Sequence, residues 1–149
     1  ISLRDLQDMH VMLLRPDVAI DGASGFPISD GDRAFIAEAM ASTPGESKDP
    51  VYDRKAYPDD FSKFLLPGLL RFRKADEVVV RDKVGRAYGF STTNSEVLDA
   101  RTGRTFFLAA TIYTNPNEIV GDGVYGYATA DRFFADLGEA VGRVILDAR

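Results

Sequence analysis

A lysine followed two positions later by a glycine stands at the end of a run of β-branched residues. The segment reads Lys83, Val84, Gly85 and then Arg86. A lysine at a strand end can hold an anionic ligand, and the glycine lets another group approach the backbone closely. The backbone N–H of Arg86, pointing into a cleft along an open strand edge, would stabilise negative charge on an acyl oxygen. The alternative interpretation is a solvated lysine followed by a turn glycine.

Three segments after residue 76 predict β-strands, because they show two-residue alternation or continuous β-branched runs. They run from Glu77 to Lys83, from Tyr88 to Leu98 and from Thr105 to Thr114. Residues 99–103 read as a turn between the last two. Short connections between sequential strands predict a three-stranded antiparallel meander. The predicted fold class is therefore α/β of the α+β type.

Helical spacing of apolar residues precedes and follows these strands. The predicted helices span residues 3–14, 34–40, 61–65 and 130–148. Ser2 is the expected N-cap of the first helix and Thr129 that of the last, while Pro67-Gly68 should stop the third. Residues 44–60 hold three prolines and no sustained period, which predicts an ordered surface loop. The C-terminal helix should cover one face of the sheet.

The composition excludes several classes of protein. The chain has 149 residues, no cysteine and one histidine, which excludes a disulfide scaffold, a thiolate zinc site and a histidine-based metal site. A formal charge of −5 provides no electrostatic footprint for a phosphate backbone, so nucleic acid is not an expected partner. No segment reaches the roughly 18 apolar residues of a membrane span. No metal or cofactor is predicted.

The order of these elements around Lys83, Val84 and Gly85 resembles the C-terminal half of class A β-lactamases and related penicillin-recognising serine hydrolases. The resemblance covers nearly all 149 residues, although the short Lys-x-Gly signature is its one sharp motif. It implies that Lys83 anchors the carboxylate of a β-lactam or a peptide-like substrate. It also implies that Gly85 keeps the strand edge accessible and that the Arg86 N–H forms half of an oxyanion hole. Export to a bacterial periplasm or the cell exterior is a further implication.

The chain departs from the family pattern in two respects. Val84 stands where the family usually has Thr or Ser, whose hydroxyl bonds to the substrate carboxylate. No serine is followed by lysine three positions later, so the Ser-x-x-Lys nucleophile is not among these residues. We expect the chain, which begins at Ile1, to be a single domain over residues 1–149 that forms the C-terminal portion of a longer catalytic domain. By itself it should be inactive.

Two further expectations follow from the resemblance. The strand from Thr105 to Thr114 would pair in the family with a strand from the N-terminal part. We therefore expect an apolar edge at Phe106, Phe107, Leu108 and Ile112, which associates with that missing part or with a second copy. A rival interpretation is a non-catalytic, β-lactamase-like binding or structural domain, and a third is an unrelated α/β domain with an accidental Lys-Val-Gly.

Four other groups of residues could form sites, but their patterns favour structural roles. His10 lies on the apolar side of a helix and is expected to be packed. A calcium site in the loop before the last helix is less favoured than a hairpin-like loop, and the basic run 71–74 is expected to be a solvated connector. Loop tyrosines can wall a cleft or pack over a core edge. The calcium candidates are Asn115, Asn117, Glu118 and Asp122, and the tyrosines are Tyr52, Tyr57, Tyr125 and Tyr127.

Overall fold

The computed structural model describes residues 1–148 and has an α+β architecture, with helices before an antiparallel sheet and one long helix after it. The helices are α1 (Leu3–Leu14), α2 (Asp30–Ala41), α3 (Leu66–Leu69) and α4 (Tyr127–Leu146). The strands are β1 (Val78–Asp82), β2 (Gly85–Ala87), β3 (Phe90–Asp99) and β4 (Thr105–Tyr113). Short 3₁₀ turns lie at 44–46 and 75–77.

The sheet has four strands, not the predicted three, because the first predicted strand is interrupted. β1 and β2 both pair with the same side of β3, and β4 pairs with its other side. Asp82 lies opposite Ser95 and Gly85 opposite Thr92, so the register is unchanged across the interruption. The sheet is thus the expected antiparallel meander with a break in its first strand at residues 83 and 84.

The turn that follows the interrupted strand lies at residues 88 and 89, later than the gap at residues 84–87 between the first two predicted strands. Ala87 pairs with Phe90, and both intervening residues have positive φ, 54° at Tyr88 and 89° at Gly89. Positive φ at both central positions is the pattern of a type I′ hairpin. A Cβ at Gly89 would lie 2.6 Å from the Cβ of Asn115, so this position also requires glycine for space. The interpretation of Gly85 as a turn glycine was therefore wrong.

The hydrophobic core lies between one face of the sheet and α4, which confirms the expected position of the C-terminal helix. Phe134 is fully buried against strand residues that include Val97 and Phe106. Burial of such a side chain contributes about 1.5–3 kcal/mol. The helix begins at Tyr127 after Gly126, and Gly126 makes no side-chain cap. The predicted cap at Thr129 was wrong, because the helix begins at Tyr127 and the apolar spacing becomes visible only after residue 130.

Helix α3 contacts α4 at unusually short range. Pro67 and Gly68 lie inside α3 and do not end an earlier helix, which corrects the predicted stop. A Cβ at Gly68 would lie 1.7 Å from the carbonyl oxygen of Ala135, and one at Gly138 would lie 2.6 Å from that of Leu65. Glycine is present at both positions because the two backbones meet there.

The first two predicted helices are both present, and each begins with a capping box. Ser2 and Asp5 make a capping box at the start of α1, and Ser29 and Asp32 make one at the start of α2. Helix α1 packs on the sheet face opposite α4, where the Asn94 amide donates a hydrogen bond of 2.7 Å to the carbonyl oxygen of residue 6. Both faces of the sheet are therefore covered by helices.

The basic run 71–74 is only in part the solvated connector that was predicted, because Arg71 and Lys74 are exposed and Arg73 is not. Arg73 is buried, and its guanidinium donates to Asp99 at 3.1 Å and to Asp147 at 2.5 Å. Asp99 in turn accepts the backbone N–H groups of Arg101 and Thr102 in the β3–β4 turn. One arginine thus joins the end of α4 to this turn. In residues 1–148 no helix is long and apolar enough to cross a membrane.

The close approach of α3 and α4 predicts the effect of adding one methyl group. Gly68→Ala should lower the free energy of unfolding by about 3 kcal/mol, because the Ala135 carbonyl must move to admit the new Cβ. Gly31→Ala in the exposed first turn of α2 is the matched control and should leave stability equal or slightly higher. Urea unfolding followed by circular dichroism measures both. Equal stability of the two variants would contradict the tight helix contact.

Candidate functional site

Lys83 and Val84 occupy the interruption between β1 and β2. The Lys83 N–H still donates to the Asn94 carbonyl at 2.9 Å, which keeps this residue attached to β3. Its exposed side chain returns to the strand, and Nζ donates to the Val84 carbonyl oxygen at 2.9 Å. The ammonium group is therefore held at the strand by its own neighbour, where it adds positive charge to the sheet edge.

The pairing pattern decides which backbone groups face outward at this edge. In an antiparallel ladder, residues alternate between pairs that exchange hydrogen bonds and pairs that do not. Lys83 bonds to Asn94, and Gly85 opposite Thr92 is in the same phase of the alternation, so Val84 and Arg86 direct their N–H and C=O groups away from β3. The Arg86 N–H consequently lies on the open side of the sheet, as the oxyanion-hole prediction requires.

Gly85 lies in β2 opposite Thr92 and is exposed. A Cβ built at this position would meet no atom within 4 Å. The glycine is therefore not required by packing among residues 1–148. It leaves open space at the strand edge, and its role in keeping this edge accessible to a ligand stays a prediction.

A cleft of about 530 Å³ borders β2. The strand supplies one wall, the segment before α3 supplies apolar and aromatic walls, and α4 supplies a carboxylate. Its lining residues are Pro58, Asp60, Phe61, Ser62, Phe64, Pro67, Val84, Gly85, Arg86 and Asp131. The volume suits a small organic ligand. Three of the four residues singled out by the sequence motif thus meet in one concave site.

The side chain of Arg86 is a feature of this cleft that the sequence analysis missed. Its Nε donates to Ser91 Oγ at 3.1 Å, and its Nη2 forms an ion pair with Asp131 of α4. The guanidinium stacks over Phe64 and Tyr127, with its central carbon 4.5 Å and 4.9 Å from the two ring centroids. No sequence signal joins residue 86 to residue 131, because the contact depends on how α4 crosses the sheet.

A buried ion pair next to Lys83 was also missed. Lys63 Nζ donates to Asp82 Oδ1 at 2.9 Å and to the carbonyl of Met40 at the end of α2. The two charged side chains are only 3% and 2% exposed. Burial raises the pKa of Asp82 to about 6, against the opposing effect of the Lys63 ammonium. The pair ties α2 to the strand residue that directly precedes the candidate site.

His10 and the loop before α4, the other candidate sites from the sequence, make contacts that stabilise the fold. His10 is buried edge-on against Phe107, as expected, and burial lowers the pKa of its imidazole, so it is neutral at pH 7. In the loop before α4, Asn117 donates to Asp122 at 2.7 Å, and side-chain oxygens of both accept backbone N–H groups. No cluster of three or more His, Cys, Asp or Glu side chains suited to a metal occurs in residues 1–148.

The four tyrosines divide between two places. Tyr52 and Tyr57 contact each other, with ring centroids 5.2 Å apart, in the loop before α3. Tyr125 and Tyr127 lie 5.4 Å apart at the start of α4, and Tyr127 contacts Arg86. Two of the four thus support residues of the cleft, Tyr127 through Arg86 and Tyr57 through Phe61, whose ring centroid lies 5.0 Å from its own.

The outer edge of β4 differs from the apolar edge that was predicted. Phe106, Leu108 and Ile112 point into the core, because they lie on the face covered by α4. The alternation instead directs the backbone N–H and C=O groups of the odd-numbered residues outward, and Gln7 Nε2 donates to the Phe107 carbonyl at 3.5 Å. No strand among residues 1–148 pairs with this edge. Its open character is therefore a property of the backbone.

Comparison with known proteins gave no match. No family model, no curated protein and no solved structure matched the chain. The functional proposal consequently depends on the chemistry of the strand edge and its cleft, together with the resemblance of the Lys-x-Gly strand.

The raised pKa of Asp82 predicts a specific dependence of stability on pH. Because its folded pKa of about 6 exceeds the ordinary value of 3.8 for an aspartate, the protonated carboxyl stabilises the fold below pH 4 and loses that contribution as the pH rises through 6. Asp82→Asn cannot ionise, so the stability difference between variant and native chain should change by about 3 kcal/mol in favour of the variant from pH 4 to pH 7, in addition to a pH-independent cost of leaving Lys63 unpaired. Urea unfolding at a series of pH values measures this difference.

The exposed loop residue Asp21 provides the matched control for this experiment. Asp21→Asn should keep a constant, small stability difference from the native chain over the same pH range, because no buried partner depends on its charge. A pH-independent difference for Asp82→Asn would contradict the assignment of a buried, proton-binding carboxyl beside Lys83.

Proposed function

We propose that this chain is the C-terminal portion of a serine hydrolase of the class A β-lactamase type. Its reaction is acyl transfer on a β-lactam or a related amide or ester, with the serine nucleophile supplied by a segment outside these 149 residues. The observation that carries the proposal is the outward direction of the Arg86 N–H on a strand that lines a cleft, two residues after the Val84 carbonyl that holds the Lys83 ammonium. Export to the periplasm or the cell exterior belongs to the same proposal.

Each residue of the motif has a chemical role in this reaction. The serine Oγ attacks the carbonyl carbon of the substrate, the C–N or C–O bond breaks, and the leaving atom takes up a proton. Negative charge develops on the carbonyl oxygen during the attack, and the Arg86 N–H donates to that oxygen. Lys83 adds positive charge for the substrate carboxylate. Gly85 leaves room for the substrate at the strand edge.

The open edge of β4 is a surface on which the rest of the catalytic domain can bind. The strand is nine residues long and contains no charged residue and no proline, which are the features that natural edge strands use to prevent pairing. A strand from the N-terminal part would bond to the outward groups of residues such as Ala109 and Thr111. Self-association through the same edge is the alternative when that part is missing.

A non-catalytic domain of the same architecture is the second candidate function. Val84 favours it, because its side chain packs partly against the core and offers no hydroxyl to a substrate carboxylate. In that case the cleft would bind a ligand without forming a covalent bond to it. Covalent labelling therefore discriminates the two functions.

Acylation by a fluorescent penicillin tests the proposal directly. The full-length natural protein should form a covalent adduct with the penicillin, detected as an increase in its intact mass. The 149-residue chain should form none. Within the full-length protein, Lys83→Gln should slow acylation about 10²–10³-fold, because an electrostatic contact to the bound substrate is lost. Lys48→Gln in the exposed loop before α3 is the charge-matched control and should leave the rate unchanged. A full-length protein that binds penicillin without an adduct would establish the non-catalytic function.

The β4 edge can be blocked without disturbing the sheet. Ala109 directs its N–H away from β3, so Ala109→Pro removes no hydrogen bond of the existing ladder. We expect this variant to keep the far-UV spectrum of the native chain and to lose association with the N-terminal part or with a second copy. Analytical ultracentrifugation of the chain, alone and mixed with that part, measures the association. Unchanged association would show that this edge is not the contact.

A further inference from the structure

We propose that the Arg86 guanidinium binds the ligand carboxylate directly in the cleft, while Lys83 adds only positive charge at the strand edge, and that Asp131 pairs with this guanidinium in the free protein as an internal counter-ion. A carboxylate on the ligand would displace Asp131 from the guanidinium and take its place. The inference rests on the proposed function for the class of ligand, an acyl compound carrying a carboxylate. It assigns to the Arg86 side chain a role separate from that of its backbone N–H.

The guanidinium is held in a fixed position in the absence of a ligand. Ser91 Oγ accepts from Nε at 3.1 Å, and Ser91 itself is fully buried in β3. The rings of Phe64 and Tyr127 contact the planar group at 4.5 Å and 4.9 Å. Contacts to aromatic faces orient a guanidinium and leave its N–H edge free to bind a carboxylate. The cation is thus positioned before any ligand arrives.

The guanidinium retains hydrogen-bonding capacity. An arginine side chain carries five N–H donors, and the contacts within residues 1–148 use two groups, Nε toward Ser91 and Nη2 toward Asp131. Its side chain is 29% exposed and lines the cleft. A carboxylate entering the cleft therefore finds unused donors on a group whose planar geometry matches it.

Asp131 is suited to being displaced. Its side chain is 55% exposed, so water can solvate the carboxylate as soon as it leaves Arg86. Exposed ion pairs contribute little to stability, because solvation compensates most of the lost attraction. Asp131 also lies in the second turn of α4, where movement of the side chain requires no change of the helix backbone.

The same position accounts for the missing hydroxyl at Val84. Val84 and Arg86 lie two residues apart on the interrupted strand, so their side chains point to the same face of the sheet. A ligand carboxylate that would meet a hydroxyl at residue 84 meets the guanidinium of residue 86 instead. Asp60 and Asp131 otherwise give the lining an excess of negative charge. Asp131 consequently weakens the binding of anions until it is displaced.

Binding of benzylpenicillin and its uncharged methyl ester to the 149-residue chain tests the inference. NMR titration follows the Nε–H resonance of Arg86 and the backbone amide of Gly85. The anion should shift both, and the ester should bind at least several-fold more weakly. Asp131→Asn should tighten binding of the anion about two- to tenfold and leave the ester unchanged, because an internal competitor is removed. Arg86→Lys should weaken the binding of the anion and leave the binding of the ester unchanged.

Asp136→Asn is the matched control, since Asp136 lies on the same helix and pairs with Arg71 at 2.7 Å away from the cleft. It should leave both affinities unchanged. Equal binding of anion and ester, no shift of the Arg86 resonance at millimolar penicillin, or identical effects of the two Asp→Asn changes would overturn the inference. Because Asp131→Asn keeps Arg86 in place, the test does not depend on whether an Arg86 variant folds.

The outcome is separable from that of the proposed function. A selective effect of Asp131→Asn on the anion supports the inference even when the full-length protein forms no acyl adduct, and the proposed hydrolase function then fails alone. An adduct in the full-length protein with no effect of Asp131→Asn on anion binding overturns the inference alone.

Discussion

The two-sided pairing of β3 is the constraint on which the rest of the structure depends. Its residues alternate between hydrogen bonds to the interrupted strand on one side and to β4 on the other. This alternation determines which groups of the outer strands remain free. It turns the Arg86 N–H toward one open edge of the sheet and turns the N–H of Ala109 toward the opposite open edge. A shift of one residue in a pairing would reverse the direction of these groups in the outer strand on that side.

The face of the sheet under α4 changes character along β3. At one end it is apolar, with Val97 against Phe106 and Phe134. At the other end Ser91 and Thr93 are fully buried, and their neighbours across the ladder are Arg86 and Val84. The apolar end provides the stability of the core. The polar end holds the Ser91 hydroxyl group that orients the Arg86 side chain. The cleft therefore lies beside the buried polar end of β3.

Two ion pairs position the elements around the candidate site. Lys63 and Asp82 join α2 to β1 inside the protein, and Arg86 and Asp131 join β2 to α4 near the surface. The buried pair is costly to break, because removal of one partner leaves an uncompensated charge, whereas the exposed pair is easily exchanged for another partner. The difference in burial separates a structural role for the first pair from a ligand-responsive role for the second.

Local patterns in the sequence were enough to predict α1 and α2, the three strand segments and the C-terminal helix. Capping boxes act within four residues, and strand alternation is visible along a single segment. The sequence also identified Lys83 to Arg86 as the segment with chemical potential. By itself it determined the α+β class, the order of the elements and the absence of a Ser-x-x-Lys motif from these 149 residues.

Only the tertiary structure decided the break in the first strand, the contact between Arg86 and Asp131, and the burial of Lys63 with Asp82. Each of these depends on residues far apart in the chain, whose proximity is set by the packing of helices on the sheet. The same holds for Arg73, which reads as a surface cation until Asp99 and Asp147 surround it. A charge pattern along the chain does not specify its partners, because the energy of a buried charge depends on what the fold places beside it.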